Sequence, residues 1–135
     1  MEVIKETSLQ KILVVGGDAA SLRLLRIALL AQGYLVHVAT CGLGGITAAA
    51  DWRPDLILME LVFPDICGIE LCHQLRLISQ VPIIALSQTD DDQKMVDILD
   101  AGADDYILKP FSLNELKARV WRKLLSLSSA NGTAR

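Results

Sequence analysis

Apolar and polar residues follow one another along this chain in two rhythms. Short unbroken apolar runs, bounded by glycine, proline or aspartate, recur five times: Lys11–Val15, Tyr34–Ala39, residues 55–60, Val81–Leu86 and Asp105–Lys109. Unbroken runs of this length are the pattern of strands covered on both faces. The second run differs, because His37 alternates with Val36 and Val38, and that predicts an edge strand. Between the runs, apolar residues return every third or fourth position, as on one face of a helix. Helices are predicted over Ala19–Gln32, Gly42–Trp52, Ile66–Ser79, from the Asp90–Asp92 run to Ala101, and over Ser112–Leu127. Their inward rows are Leu22, Leu25, Ala28 and Leu29, then Leu71, Leu75 and Ile78, and finally Leu113, Leu116, Val120, Leu124 and Leu127. Gly33 and Gly102 stand where the first and fourth helices should stop.

Strands that alternate with helices pair in parallel through right-handed crossovers. The expected fold is therefore α/β, a doubly wound five-stranded parallel sheet with five helices in three layers. Its bounds are residues 11–127, preceded by an extension at 1–10 and followed by a polar tail or linker at 128–135. A chain of 135 residues fits one domain and buries about two-thirds of its unfolded surface without staples. Its hydrophobic content of 52% with only 4% aromatics implies an aliphatic core.

The formal net charge of -3 supplies no general attraction to nucleic acid. The densest basic cluster, Lys117, Arg119, Arg122 and Lys123, belongs to one terminal helix and reads as a solvated face. Cys41, Cys67 and Cys72 are odd in number and lack a metal spacing, so they are expected as buried small apolar residues in a reducing compartment. Apolar stretches break before the ~18 residues a membrane span needs. A cytoplasmic protein without membrane or direct nucleic-acid contacts is expected.

Candidate chemistry gathers around the run from Pro54 to Asp65. Its strand ends on Glu60, at the carboxyl edge of the sheet, where open α/β folds place their sites. Strand ends one, three, four and five bring Gly16-Gly17-Asp18, Glu60, Ser87 and Lys109 to the same rim. A carboxylate at the end of a buried strand needs a partner, and Lys109 is the economical one. The double glycine is not part of a G-x-G-x-x-G or a G-x-x-x-x-G-K-[ST] pattern, which argues against nucleotide binding. His37 and His73 have no third ligand for zinc. No cofactor is expected.

Five segments resemble the receiver domain of bacterial two-component response regulators, particularly those with a winged-helix output (the OmpR/PhoB-like class). They are Lys11–Val15, Pro54–Glu60, Pro64 with Gly68, Pro82–Ser87 and Ala101–Phe111. The resemblance implies the flavodoxin-like strand order 2-1-3-4-5. It also implies a magnesium site made by two acids after strand one and an aspartate ending strand three, with that aspartate taking a phosphoryl group from a histidine kinase. Ser87 and Lys109 match the residues that coordinate the phosphoryl oxygens, and Tyr106 matches the switch aromatic. Gly16 and Gly17 stand where the acidic pair belongs, and Glu60 stands at the acceptor position.

These departures lead to the expectation of an atypical or pseudo-receiver. It would be a phosphorylation-independent signalling module, not an enzyme, with no catalytic residue and no metal, that controls an output domain. The alternatives are a phosphoaccepting receiver with an unusual acceptor (Glu60 or Asp18), an anion or small-ligand sensor at the double glycine, and a stand-alone adaptor. An attached DNA-binding output domain would lie outside this chain. The resemblance further implies a homodimer through helix four, strand five and helix five, with Asp104, Asp105, Glu115 and Arg119 as its charged members. Met95 stands where the family has a basic residue, with Lys94 about 100 degrees around the helix. Trp121, off the inward row, is a further candidate for that face.

Overall fold

The computed structural model describes residues 9–133, with side chains through Ser126. Five strands, β1 (Lys11–Val15), β2 (Leu35–Ala39), β3 (Leu56–Glu60), β4 (Ile83–Ser87) and β5 (Asp105–Leu108), alternate with five helices. These are α1 (Ala19–Ala31), α2 (Gly42–Trp52), α3 (Gly68–Ile78), α4 (Asp92–Asp100) and α5 (Leu113–Thr133). All strand pairs are parallel, in the order β2-β1-β3-β4-β5. The edge position of β2 leaves Leu35 and His37 exposed and accounts for its alternating pattern.

Successive side chains along each inner strand point to opposite faces, which gives the sheet two apolar layers. Leu13, Val15, Ile57, Met59, Ile83 and Ala85 pack with Ala48, Ala49, Leu71, Leu75 and Ile98 of α2, α3 and α4. Ile12, Val14, Leu56, Leu58, Ile84 and Leu86 pack with Leu22, Leu25, Leu29, Leu116, Val120 and Leu124 of α1 and α5. Each fully buried aliphatic side chain contributes about 1.5–3 kcal/mol relative to exposure, so the three central strands anchor the whole rim. Among the described residues, no helix is long and apolar enough to cross a membrane.

Several boundaries differ from expectation. β4 begins at Ile83 because Pro82 has no N–H to give, although its carbonyl accepts from Ile57 N at 2.9 Å. α3 begins at Gly68, two residues late. Asp65 is turned away from α3 and caps α2 instead, accepting from Gly42 N at 3.0 Å and Leu43 N at 2.9 Å. A Cβ at Gly68 would lie 2.7 Å from the Leu61 carbonyl oxygen, so only glycine lets α3 start this close to β3. Ile78 is exposed and does not join the inward row. Its end of α3 is fixed by Arg76, which donates to the carbonyls of Ser79, Val81 and Gly102 and to Asp104.

The backbone of α5 runs helical to Thr133, through most of the segment expected as a tail. The side chain of Leu127 lies outside the described residues, as do residues 134–135 and most of the expected extension at 1–10.

Candidate functional site

β1, β3 and β4 end together because their registers are locked by the two apolar layers. Val15 pairs with Met59, and Glu60 pairs with Leu86. The Lys109 amide, just past β5, donates to the Ser87 carbonyl at 2.7 Å. Glu60 and Ser87 are the two buried polar residues of this rim. They line a cleft of about 750 Å³ with Gly17, Asp18, Thr89 and Lys109, walled by Leu61, Phe63 and Ile69.

Lys109 Nζ lies 2.6 Å from Glu60 Oε2, and the Glu60 side chain is only 8% exposed. The second donor to that oxygen is Ser21, whose Oγ is at 2.9 Å. Burying a carboxylate this deeply is tolerable only with such partners. Ser87 does not reach Glu60; its Oγ accepts from Thr89 N at 3.2 Å. Tyr106 is buried, and its hydroxyl donates to the Thr89 carbonyl at 2.7 Å. The switch aromatic and the strand-four serine thus hold the same loop, β4–α4.

Gly16 explains how a glutamate fits where the family has an aspartate. A Cβ on Gly16 would collide with Glu60 Oε1, lie 2.8 Å from its Cδ and come within 2.9 Å of Leu22 Cδ2. The extra methylene of Glu60 carries its carboxylate into the space left by the missing side chain. That fills the space at Gly16 itself, while the cleft beside Gly17 and Lys109 stays open. Asp18 remains exposed as the N-cap of α1 and makes no side-chain cap bond.

The magnesium ion that the resemblance implies needs an octahedral oxygen shell built on carboxylates. Among the described residues no three His, Cys, Asp or Glu side chains converge to hold a metal. Of the two rim carboxylates, Glu60 already receives Lys109 and Ser21. This donor set does not fit the family's metal site.

The assembly residues are placed less uniformly. α4 packs on β5, and Arg119 of α5 donates to Asp105 Oδ1 at 2.8 Å and to Glu115 Oε2 at 3.1 Å. The basic cluster of α5 is thus partly engaged rather than wholly solvated, since Lys123 also reaches the Asp104 carbonyl at 3.3 Å. Met95 packs against the protein's own core. Asp104 turns to Arg76 and to the Ile83 amide, at 2.8 and 2.9 Å. Trp121 is 60% exposed but does not share the flank of Arg119. Two residues along a helix is about 200 degrees, which puts Trp121 on the side away from Asp105.

Ser21, Asp65, Arg76 and Thr89 were not singled out from the sequence. Ser21 had a signal, since it sits one position before the inward Leu22 in the first turn after the rim. Asp65 and Arg76 meet backbone groups distant in sequence, and Thr89 is engaged through its own amide and carbonyl, neither of which a spacing pattern reveals.

The response regulator receiver domain family matches residues 12–121. The DNA-binding response regulator MtrA of Mycobacterium tuberculosis is 43% identical over 119 residues, 88% of this chain and 52% of MtrA. The chain thus spans about half the length of that relative. Among solved structures, a CheY-like receiver domain protein of Methanospirillum hungatei superposes with a TM-score of 0.86 at 29% identity, covering 91% of this chain and 99% of that one. A DrrB receiver domain described as BeF3-activated superposes at 0.79 with 29% identity, covering 86% and 97%. These likenesses overturn the expectation of a phosphorylation-independent module, because they group the chain with receivers of the ordinary phosphoaccepting kind and none marks it as a pseudo-receiver. The chain belongs to the response regulator receiver domain family.

Proposed function

We propose that this chain is a phosphoaccepting receiver module with an unusual acceptor, carried by the Glu60–Lys109 rim in place of the family's aspartate and its acidic neighbours. The observation that carries this reading is Lys109 Nζ at 2.6 Å from a buried carboxylate, at the ends of the strands where the family keeps acceptor and lysine. Phosphoryl transfer depends on positioning and charge neutralisation, and a lysine fixed at the mouth of a cleft supplies both. The β4–α4 loop, held by Ser87 and Tyr106 through Thr89, is the element that would register the new charge. From there the response would reach the α4–β5–α5 face, pairing two copies, and an attached DNA-binding output domain like that of the similar DNA-binding regulators. Of the free thiols Cys41, Cys67 and Cys72 only the last is buried, where desolvation pushes it up; Cys67 is exposed and Cys41 half-buried, which corrects the expectation of burial for those two.

The test is incubation with acetyl phosphate, with and without magnesium, followed by prompt intact-mass measurement. A species heavier by one phosphoryl group is expected, and the absence of any such species in both conditions overturns the reading. Sedimentation equilibrium on the same samples should show tighter dimers after phosphoryl transfer, weakened by Arg119→Glu.

A further inference from the structure

The acceptor position of the family is held by a buried carboxylate. Glu60 Oε2 is held by Lys109 Nζ at 2.6 Å and Ser21 Oγ at 2.9 Å, and Oε1 packs over Gly16. An incoming phosphorus would have to displace a donor at Oε2 or enter the tight space over Gly16 at Oε1. Ser21 is only half-buried and opens onto a second cleft, of about 650 Å³, that it lines with Asp18, Gln88, Lys109 and Phe111. Seen from that cleft, the hydroxyl stands in front and the carboxylate behind it. A hydroxyl that donates to a buried carboxylate, beside a fixed ammonium group, has the parts of an activated nucleophile: an oxygen, a base and a charge clamp.

We propose that Ser21 is the phosphoryl acceptor and that Glu60 is the base that takes its proton. This rests on the reading of the rim as phosphoaccepting. Ser21 Oγ forms a bond to phosphorus, and the bond from phosphorus to the donor breaks, its electron pair leaving on acetate for acetyl phosphate or on the imidazole nitrogen of a phosphohistidine. The Oγ proton passes to Glu60 Oε2. Lys109, drawn toward the donor's phosphoryl oxygens as the donor arrives, stays with them through the transfer. The lysine that weakens the base in the resting protein is drawn off by the donor's own charge, so the base strengthens as the donor arrives. Glu60 accordingly occupies the family's acceptor position while acting on the hydroxyl one turn into α1.

The product is a phosphate ester, and that separates it from an acyl phosphate. Hydroxylamine cleaves an acyl phosphate and leaves a serine ester intact. The full chain is treated with acetyl phosphate, divided, exposed or not to hydroxylamine, and the phosphoryl group is localised by tandem mass spectrometry of peptides. The expected result is a hydroxylamine-resistant group on Ser21 that is lost in Ser21→Ala and retained in Ser21→Thr. Glu60→Gln keeps an oxygen that can accept from Ser21 but cannot take its proton, so it should slow transfer by about a hundredfold without moving its site. Unchanged amide spectra of that variant would confirm that it folds. A hydroxylamine-labile group on Glu60 or Asp18, undiminished in Ser21→Ala, overturns the assignment and leaves the module phosphoaccepting. No phosphoryl group in the wild-type chain overturns both.

Discussion

The two halves of the rim are built differently. On the β4–β5 half, Ser87 and Tyr106 are family-like and are tied to the backbone of one loop, through the Thr89 amide and carbonyl. On the β1–β3 half, the Ser21 and Glu60 side chains meet each other and fill the space that Gly16 leaves. Backbone-tied residues can be judged one at a time, because their partners exist whatever the neighbouring side chains are. Residues that depend on each other have to be judged as a set. Glycine for an acid and glutamate for an aspartate each look like damage alone, whereas together they place one carboxylate in the volume that two side chains would contest.

The sharpest way to break this comparison is to restore one family residue by itself. Gly16→Asp adds a Cβ 2.8 Å from Glu60 Cδ and a second carboxylate against the first. Overpacking and an uncompensated buried charge together should cost about 3–5 kcal/mol. Shortening the partner in Gly16→Asp/Glu60→Asp should recover part of that loss, with a coupling of at least ~1 kcal/mol. Urea unfolding of the two single variants and the double measures it, and strictly additive changes would show that the two positions are independent.

The fold was readable from the sequence because its apolar rhythm is nearly free of conflict. Five runs and five helical segments reappear as the strands and helices, with most shifted ends moved by one or two residues. The shifts arise where a side chain serves another element, as Asp65 does for α2 and Arg76 for the turn before β5. The site was half readable. Glu60 and Lys109 could be paired from strand ends alone, because a buried carboxylate needs a cation. The partnership of Ser21 with Glu60, and the filling of the Gly16 space, depend on which rotamer a long side chain takes, and periodicity carries no information on that.

A second, smaller test asks whether the loop after β3 belongs to the mutually fitted half. The amides of Leu43 and Gly42 hold the Asp65 carboxyl below its usual range. A carboxyl with a depressed folded pKa contributes stability that is fully present above its unfolded value, about 3.9, and lost as pH falls through the folded one. Asp65→Asn should therefore flatten the acid side of the stability curve and leave its neutral slope unchanged. Thermal melts from neutral pH down into the acid range would show this, and parallel wild-type and variant curves would mean that Asp65 does not act as the cap of α2.

The smallest effects are expected on α5, where the comparison can be made within one helix. Arg119 faces β5 with its guanidinium on Asp105 and Glu115, while Trp121 is turned the other way and is 60% exposed. The Arg119 side chain is 35% exposed, so solvent screens its pairs, and Arg119→Ala should cost about 0.5–1 kcal/mol, a loss that shrinks at high salt. Trp121→Ala removes a side chain that covers little of its own domain and should change stability by no more than ~0.5 kcal/mol, independently of salt. Dimer formation adds a second readout that separates the flanks, since only the Arg119 flank adjoins β5. Arg119→Ala should weaken association after phosphoryl transfer, and Trp121→Ala should leave it intact. If Trp121→Ala disrupts the dimer while Arg119→Ala does not, the pairing face lies on the opposite side of α5.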